Sequence, residues 1–204
     1  MSSKKPKFNF GDTIVIASHN KGKINEFSQL LSAYNIKILT SLALNISDVN
    51  ETGKSFKENS IIKVNSVSNK HLVISDDSGL CINSLDNRPG IYSSRFSKES
   101  GGWINAMEKI YKEILDKDSN DFSAKFVCSL SIKFPSSEIF SYSGEVHGKI
   151  VWPPKGENGF GYDPFFIPSG SEKTFAEMNH KEKILIDHRN VALKKLLRSH
   201  LNGN

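Results

Sequence analysis

Apolar residues recur along this chain in two rhythms, and its chemistry-bearing residues gather where a run of one rhythm stops. Residues 13–17 are dense in β-branched side chains and predict a strand. Ile24, Phe27, Leu30, Leu31 and Tyr34 then recur at helical spacing, predicting an amphipathic helix. Residues 36–39 predict a second short strand, and a polar loop follows to Gly53. Ser55 and Glu58 have capping-box spacing, and Ile61, Ile62, Val64 and Val67 continue as one helical stripe. Residues 72–75 predict a buried strand that ends at Asp76 and Asp77, and residues 80–82 resume it. Trp103, Met107, Ile110, Tyr111, Ile114 and Leu115 predict another helix. From 124 to 134 every even position is apolar, the clearest period-two pattern in the chain. Residues 139–151 predict two short strands around Gly144 and Gly148, and 182–201 one closing helix. Strands alternating with helices, the later strands antiparallel, predict an α/β fold with a mixed sheet.

Three segments carry candidate chemistry. In the first, Asp76, Asp77, Ser78 and Gly79 follow the apolar run 72–75. Gly79 permits a sharp turn, and beyond the last paired residue both carboxylates can face a cleft. Two carboxylates beside a hydroxyl suit a hard cation such as Mg²⁺, with water and phosphate oxygens completing its shell. An Asx-turn with solvated acids satisfies the same residues. In the second, Ser18, His19, Asn20, Lys21, Gly22 and Lys23 form a polar turn between strand and helix. Backbone N–H groups and the positive helix end suit phosphate there, although no Walker P-loop pattern occurs and an ordinary connecting loop is the alternative. In the third, residues 153–166 set four aromatic rings among three glycines and three prolines, a means of holding a planar base on rigid backbone.

Composition narrows the field. The chain has 204 residues, 37% apolar and 24% charged, which suits one domain, or one split into two lobes. No apolar run approaches the ~20 residues of a membrane helix, and residues 1–7 lack the apolar core of a secretory signal, so a cytoplasmic location without membrane association is expected. Cys81 and Cys128 each lie in an apolar run and read as buried thiols. The net charge of +5 invites nucleic acid as a partner. Its lysines and arginines are dispersed in small groups, however, and a polyanionic small molecule accounts for them equally well.

These segments together resemble the inosine/xanthosine triphosphate pyrophosphatase family. Ser18-x-Asn20-x-x-Lys23-x-x-Glu26 is similar to its opening signature, and Glu51-Thr52-Gly53 with Phe56, Glu58, Asn59 and Lys63 to its second motif. Residues 75–80 with 89–95 resemble the third. Residues 159–166, Thr174-x-Ala176-Glu177, Glu182-Lys183 and His188-Arg189 follow in family order. Three positions depart from the pattern: His19 stands for a usual glycine, Lys155 for arginine and Asp187 for serine.

The resemblance implies a long central mixed sheet flanked by helices and two lobes with a central substrate cleft. A basic extension (1–10) precedes a single two-lobed domain (11–204). It also implies a homodimer that hydrolyses non-canonical purine nucleoside triphosphates (dITP, ITP, XTP) to the monophosphate and pyrophosphate. In this reading Mg²⁺ is held by Asp77 and Glu51, Asp77 or Asp76 accepts the proton of the attacking water, and Lys63 assists. Lys23, Lys63, the 18–23 turn and Ser78 meet the phosphates. Phe160 stacks on the purine beside Gly161 and Tyr162, while Asp163, Lys183, His188 and Arg189 read its edge. A pyrophosphatase for modified pyrimidines and a non-catalytic nucleotide- or nucleic-acid-binding module are the rival readings.

Overall fold

The computed structural model of the protein describes residues 5–117 and 119–203. Its elements are β1 (Thr13–Ile16), α1 (Lys21–Ser32), β2 (Lys37–Thr40), α2 (Phe56–Asn65), β3 (Leu72–Ile82), α3 (Ser93–Glu99), α4 (Trp103–Asp116), β4 (Ser123–Lys133), β5 (Ile139–Ile150), β6 (Phe166–Pro168), α5 (His180–Ile186) and α6 (His188–His200). The six strands form one sheet in the order β2-β1-β3-β4-β5-β6. β1 is parallel to β2 and β3, and β5 is antiparallel to β6, so the mixed α/β fold read from the sequence is the one observed. Among the described residues no helix is long and apolar enough to cross a membrane.

The chain divides into two compact units. The first comprises the chain up to Asp77, Cys128–Gly144 and the chain from Arg189 onward; the second comprises Ser78–Val127 and Glu145–His188. In the first unit the strands are covered on both faces. Ile14, Ile16, Leu72 and Ile74 pack with Phe27 and Leu31 of α1 and with Leu193 and Leu196 of α6. The intervening residues Val15, Ala17 and Val73 pack with Val64 of α2 and with Val67. Burial of each such side chain contributes roughly 1.5–3 kcal/mol. In the second unit Leu80 and Ile82 share a core with Met107, Ile110 and Ile114 of α4 and with Phe126, Phe165 and Phe166.

Several local expectations give way to tertiary constraints. β3 does not stop at Asp77; it continues as strand through Asp76, Asp77, Ser78 and Gly79 to Ile82. Gly79 is therefore no turn residue. Its lack of a side chain leaves room for Gly90 O and Ser93 Oγ, which an added Cβ would overlap. Residues 139–150 are one strand, not two. The closing helix is broken at Asp187, whose extended backbone (φ −71°, ψ 162°) separates α5 from α6. Helix α1 begins at Lys21, so Gly22 and Lys23 lie in its first turn and not in the preceding loop. Helix α3 had no periodic signal, being only seven residues long.

Residues 1–4 of the expected basic extension lie outside the described residues. Its later part is tied down: Phe8 is 2% exposed, and its backbone bonds to His200 O and Asn202 N.

Cys81 and Cys128 are buried free thiols, and burial pushes Cys81 up to about 11. Native protein at pH 8 is expected to leave both thiols unmodified by a disulfide exchange reagent on the minute scale, and to yield two after denaturation. Rapid native reaction at either would show that its strand is not packed as described.

Candidate active site

An unbroken β3 sends Asp76 and Asp77 to opposite faces of the sheet, because successive strand side chains alternate. Asp76 continues the series Leu72–Ile74 toward α1 and α6. There its Oδ2 lies 3.1 Å from Lys23 Nζ and 3.4 Å from Arg189 Nε. Arg189 Nη1 also donates to Glu26 Oε2 at 2.8 Å. Asp77 continues the series Val73–Ser75 toward α2, where Asn59 Nδ2 donates to its Oδ2 at 2.9 Å and Lys63 Nζ stands 4.0 Å from Oδ1. The expectation that both acids flank one cleft past a strand end is thus corrected: the strand has no end there.

The two carboxyls consequently titrate in opposite directions. Burial works to raise Asp76, but the Lys23, Arg189 and Lys63 charges outweigh it and hold the group well below the usual carboxylate range. Burial raises Asp77, and its lysines do not fully offset that, so its carboxyl sits above the ordinary value. Adjacent acids driven apart in this way have separate uses. Asp76 is a permanent counter-charge; Asp77 is the better proton acceptor.

Lys63 Nζ lies 2.5 Å from Glu51 Oε1 as well as near Asp77, so an ammonium already stands between two carboxylates. Burial acts to lower Lys63, and Asp76, Asp77 and Glu51 more than reverse it. The oxygen-only donors Glu51 and Asp77 fit a hard divalent cation, and a cation bridged to phosphate needs few protein ligands. Among the described residues no group of three or more His, Cys, Asp or Glu is arranged around a metal position. Ahead of α1, Asn20 Oδ1 caps the helix by accepting from Lys23 N at 3.1 Å, and Ser18 Oγ accepts from Asn20 N at 3.2 Å. His19 donates through Nε2 to Ile46 O at 2.9 Å and faces Asp48. Lys21 is exposed, and Gly22 half-buried.

A separate cluster lies in the second unit. Asp163 Oδ2 accepts from Lys183 Nζ at 2.6 Å and from Phe160 N at 2.8 Å. Gly159 (φ +75°) closes this turn, since an added Cβ would overlap Asp163 Oδ2. Lys183 Nζ also lies 4.9 Å over the Phe160 ring. The His188 ring stacks on Phe126 at 4.9 Å between centroids. Tyr162 points inward, its hydroxyl donating to Ser93 O and its ring edge-on to Trp103 at 5.0 Å, and burial raises that hydroxyl above its usual range. A Cβ added at Gly161 (φ +67°) would lie 3.7 Å from the Trp103 ring. Ser78 follows Asp77 along β3.

Phe160, Asp163 and Lys183 therefore come together as expected. Arg189 pairs with Glu26 and Asp76 in the first unit. Glu26 and Asn59 were not singled out as site residues. Glu26 stood beside an apolar helical stripe, where a charge needs a buried partner. Asn59 precedes Lys63 by four residues, on the same helix face.

A mixed α/β sheet bearing buried acids against lysines, with an ammonium over an aromatic ring elsewhere, is a frame suited to a charged, ring-bearing ligand. The comparisons agree: the profile of the Ham1 family matches residues 14–199, and the chain belongs to that family. The dITP/XTP pyrophosphatase of Gluconobacter oxydans is 40% identical over 96% of this chain and 94% of its own. The enzyme of that name from Bacillus subtilis is also 40% identical, over 89% and 93%. A solved HAM1 protein from Coxiella burnetii superposes with a TM-score of 0.81 at 34% identity, covering 90% of this chain and 95% of that one. The Staphylococcus aureus Ham1 protein gives 0.79 at 37% identity, covering 91% and 96%.

The separate surroundings of the two acids have a measurable consequence. Asp76→Asn strands Lys23 and Arg189 without their shared partner and is expected to cost about 3 kcal/mol, lowering Tm by roughly 6–12 °C. Asp77→Asn removes a carboxylate that burial disfavours and keeps the Asn59 contact, so its Tm should stay within about 2 °C of wild type. Equal losses in thermal melts would contradict the assignment.

Proposed function

We propose that the protein is a magnesium-dependent nucleoside triphosphate pyrophosphatase for purine nucleotides with an oxo group at position 6: dITP, ITP and XTP. The observation that carries this reading is the Lys63 ammonium between Glu51 and Asp77, a cation position made of oxygen donors, in a chain whose relatives bear that activity in their names. Hydrolysis between the α- and β-phosphorus atoms gives the nucleoside monophosphate and pyrophosphate.

Asp77 and Glu51 would hold the magnesium ion, which would supply charge neutralisation at the phosphates. Asp77, whose carboxylate is oriented by Asn59, accepts a proton from the attacking water. Lys23 is held ready by Asp76, and with Lys63 and the α1 N-terminus it balances the triphosphate. Ser18, Asn20 and Ser78 add polar contacts. Arg189 supports this phosphate cluster through Asp76 instead of reading the base.

For the base, Phe160 offers the stacking face and Lys183 an ammonium donor for the 6-oxo group, with His188 beside them in sequence order. Adenine presents an amine at that point and leaves the donor unpaired, a mismatch worth up to ~10⁴-fold in discrimination. A homodimer in the cytoplasm belongs to the same proposal, on the family resemblance.

With Mg²⁺, pyrophosphate release from dITP or XTP is expected to exceed that from dATP by at least about 100-fold, and excess chelator should abolish it. Equal rates for dITP and dATP would overturn the specificity. Asp77→Asn should lower kcat by roughly 10²–10⁴-fold with the fold retained; near-normal kcat would remove Asp77 from its role. Lys183→Met should raise KM for dITP and shrink the dITP/dATP ratio, whereas an unchanged ratio would place the base contact elsewhere.

A further inference from the structure

We infer that Asn59 is a positioning residue, which orients the Asp77 carboxylate and fixes its separation from the loop that bears Glu51. The inference rests on the reading above, in which those two carboxylates hold a divalent cation. Asn59 is wholly buried in α2. Its Oδ1 accepts from Gly53 N–H at 2.8 Å, and its Nδ2 donates to Asp77 Oδ2 at 2.9 Å. One amide thus spans the Glu51–Gly53 loop and the strand carrying Asp77. Lys63, four residues on and on the same helix face, spans the same pair through Glu51 Oε1 and Asp77 Oδ1.

The two crossbars use the carboxylate differently. Asn59 engages Oδ2, which sets the rotation of the group and leaves Oδ1 toward Lys63, the side where a cation already stands. Gly53 makes the bracket possible: an added Cβ would sit 2.6 Å from Glu58 Cβ and 2.7 Å from Asn59 Oδ1. No positive φ is involved, so the glycine answers to space and not to backbone conformation. Helix α2 is itself anchored from the sheet. Ser60 Oγ donates to Lys57 O, so its contact with Ser131 Oγ (2.7 Å) takes the Ser131 proton, and Ser131 in turn accepts from Ser141 (2.8 Å). A buried helical asparagine is otherwise unfavourable, both in propensity and in desolvation. Its side-chain oxygen and nitrogen bond to the carriers of the candidate ligands, Gly53 and Asp77. Partners that orient metal ligands typically change metal affinity or activity by about 10–100-fold when removed.

The test compares wild type with Asn59→Leu and Asn59→Ser, using Leu196→Ala in the α6 core as a destabilised control. Three quantities are measured: Mn²⁺ binding to the free protein by the resonance signal of unbound Mn²⁺, kcat and KM for dITP at saturating metal, and Tm. Both Asn59 variants are expected to weaken Mn²⁺ binding and lower kcat by roughly 10–100-fold, with KM changed less than about 3-fold. Leu196→Ala should lose Tm while holding metal affinity and kcat near wild type. If Asn59→Leu does not fold, the smaller Asn59→Ser is read by the same criteria. Wild-type metal affinity and kcat in a folded Asn59 variant would make the residue a packing element and overturn the inference alone. A wild-type protein that neither binds Mn²⁺ nor releases pyrophosphate would overturn the functional reading beneath it as well.

Discussion

The candidate chemistry depends on β3 running as a strand straight through Asp76 and Asp77. Because strand side chains alternate, continuity separates two neighbouring acids that a turn would have placed together. One meets Lys23 and Arg189 under α1 and α6; the other meets Asn59 and Lys63 under α2. The same alternation that sorts Ile74 from Val73 into different cores sorts the carboxylates into different environments. Packing therefore sets the two acids apart: Asp76 faces cations that hold it charged, whereas burial of Asp77 is only partly offset.

Such an arrangement is costly for a fold. Buried charges lose hydration, and replacing them by apolar groups is often neutral or stabilising. Here four carboxylates (Glu26, Glu51, Asp76 and Asp77) are interleaved with Lys23, Lys63 and Arg189, so each ion faces an opposite one. The interleaving limits the cost, and the surplus carboxylate is what a divalent cation would balance. The second unit follows a similar logic at smaller scale. Asp163 secures Lys183, and Gly159 leaves Asp163 the space that a side chain there would fill.

Much of this was legible in the residues. The even-position apolar pattern at 124–134 identified β4 and its inward face, and the helical stripes located α1, α2 and α4. Asp76 and Asp77 are marked in the sequence as adjacent acids after an apolar run, whereas the roles expected of Glu51, Lys63 and Lys183 come from the family resemblance. The details that failed were set by contacts distant in sequence. Gly79 looked like a turn because glycine supplies one locally, whereas the crowding by Gly90 and Ser93 that demands it lies eleven or more positions away. The break at Asp187 falls inside an uninterrupted helical pattern. Arg189 and Glu26 lie 163 positions apart, so their pairing had no local signature. Asn59 lies within the second motif, but it meets Gly53 and Asp77 at once, which spacing alone does not express.

The central claim, that only one of the adjacent acids faces the reacting phosphates, is tested most directly by anomalous diffraction from crystals soaked with Mn²⁺ and a non-hydrolysable dITP analogue. The account requires a Mn²⁺ peak within bonding distance of Asp77 and of a phosphate oxygen, with Asp76 still paired to Lys23 and Arg189. A peak coordinated by Asp76, or by both aspartates together, would contradict it.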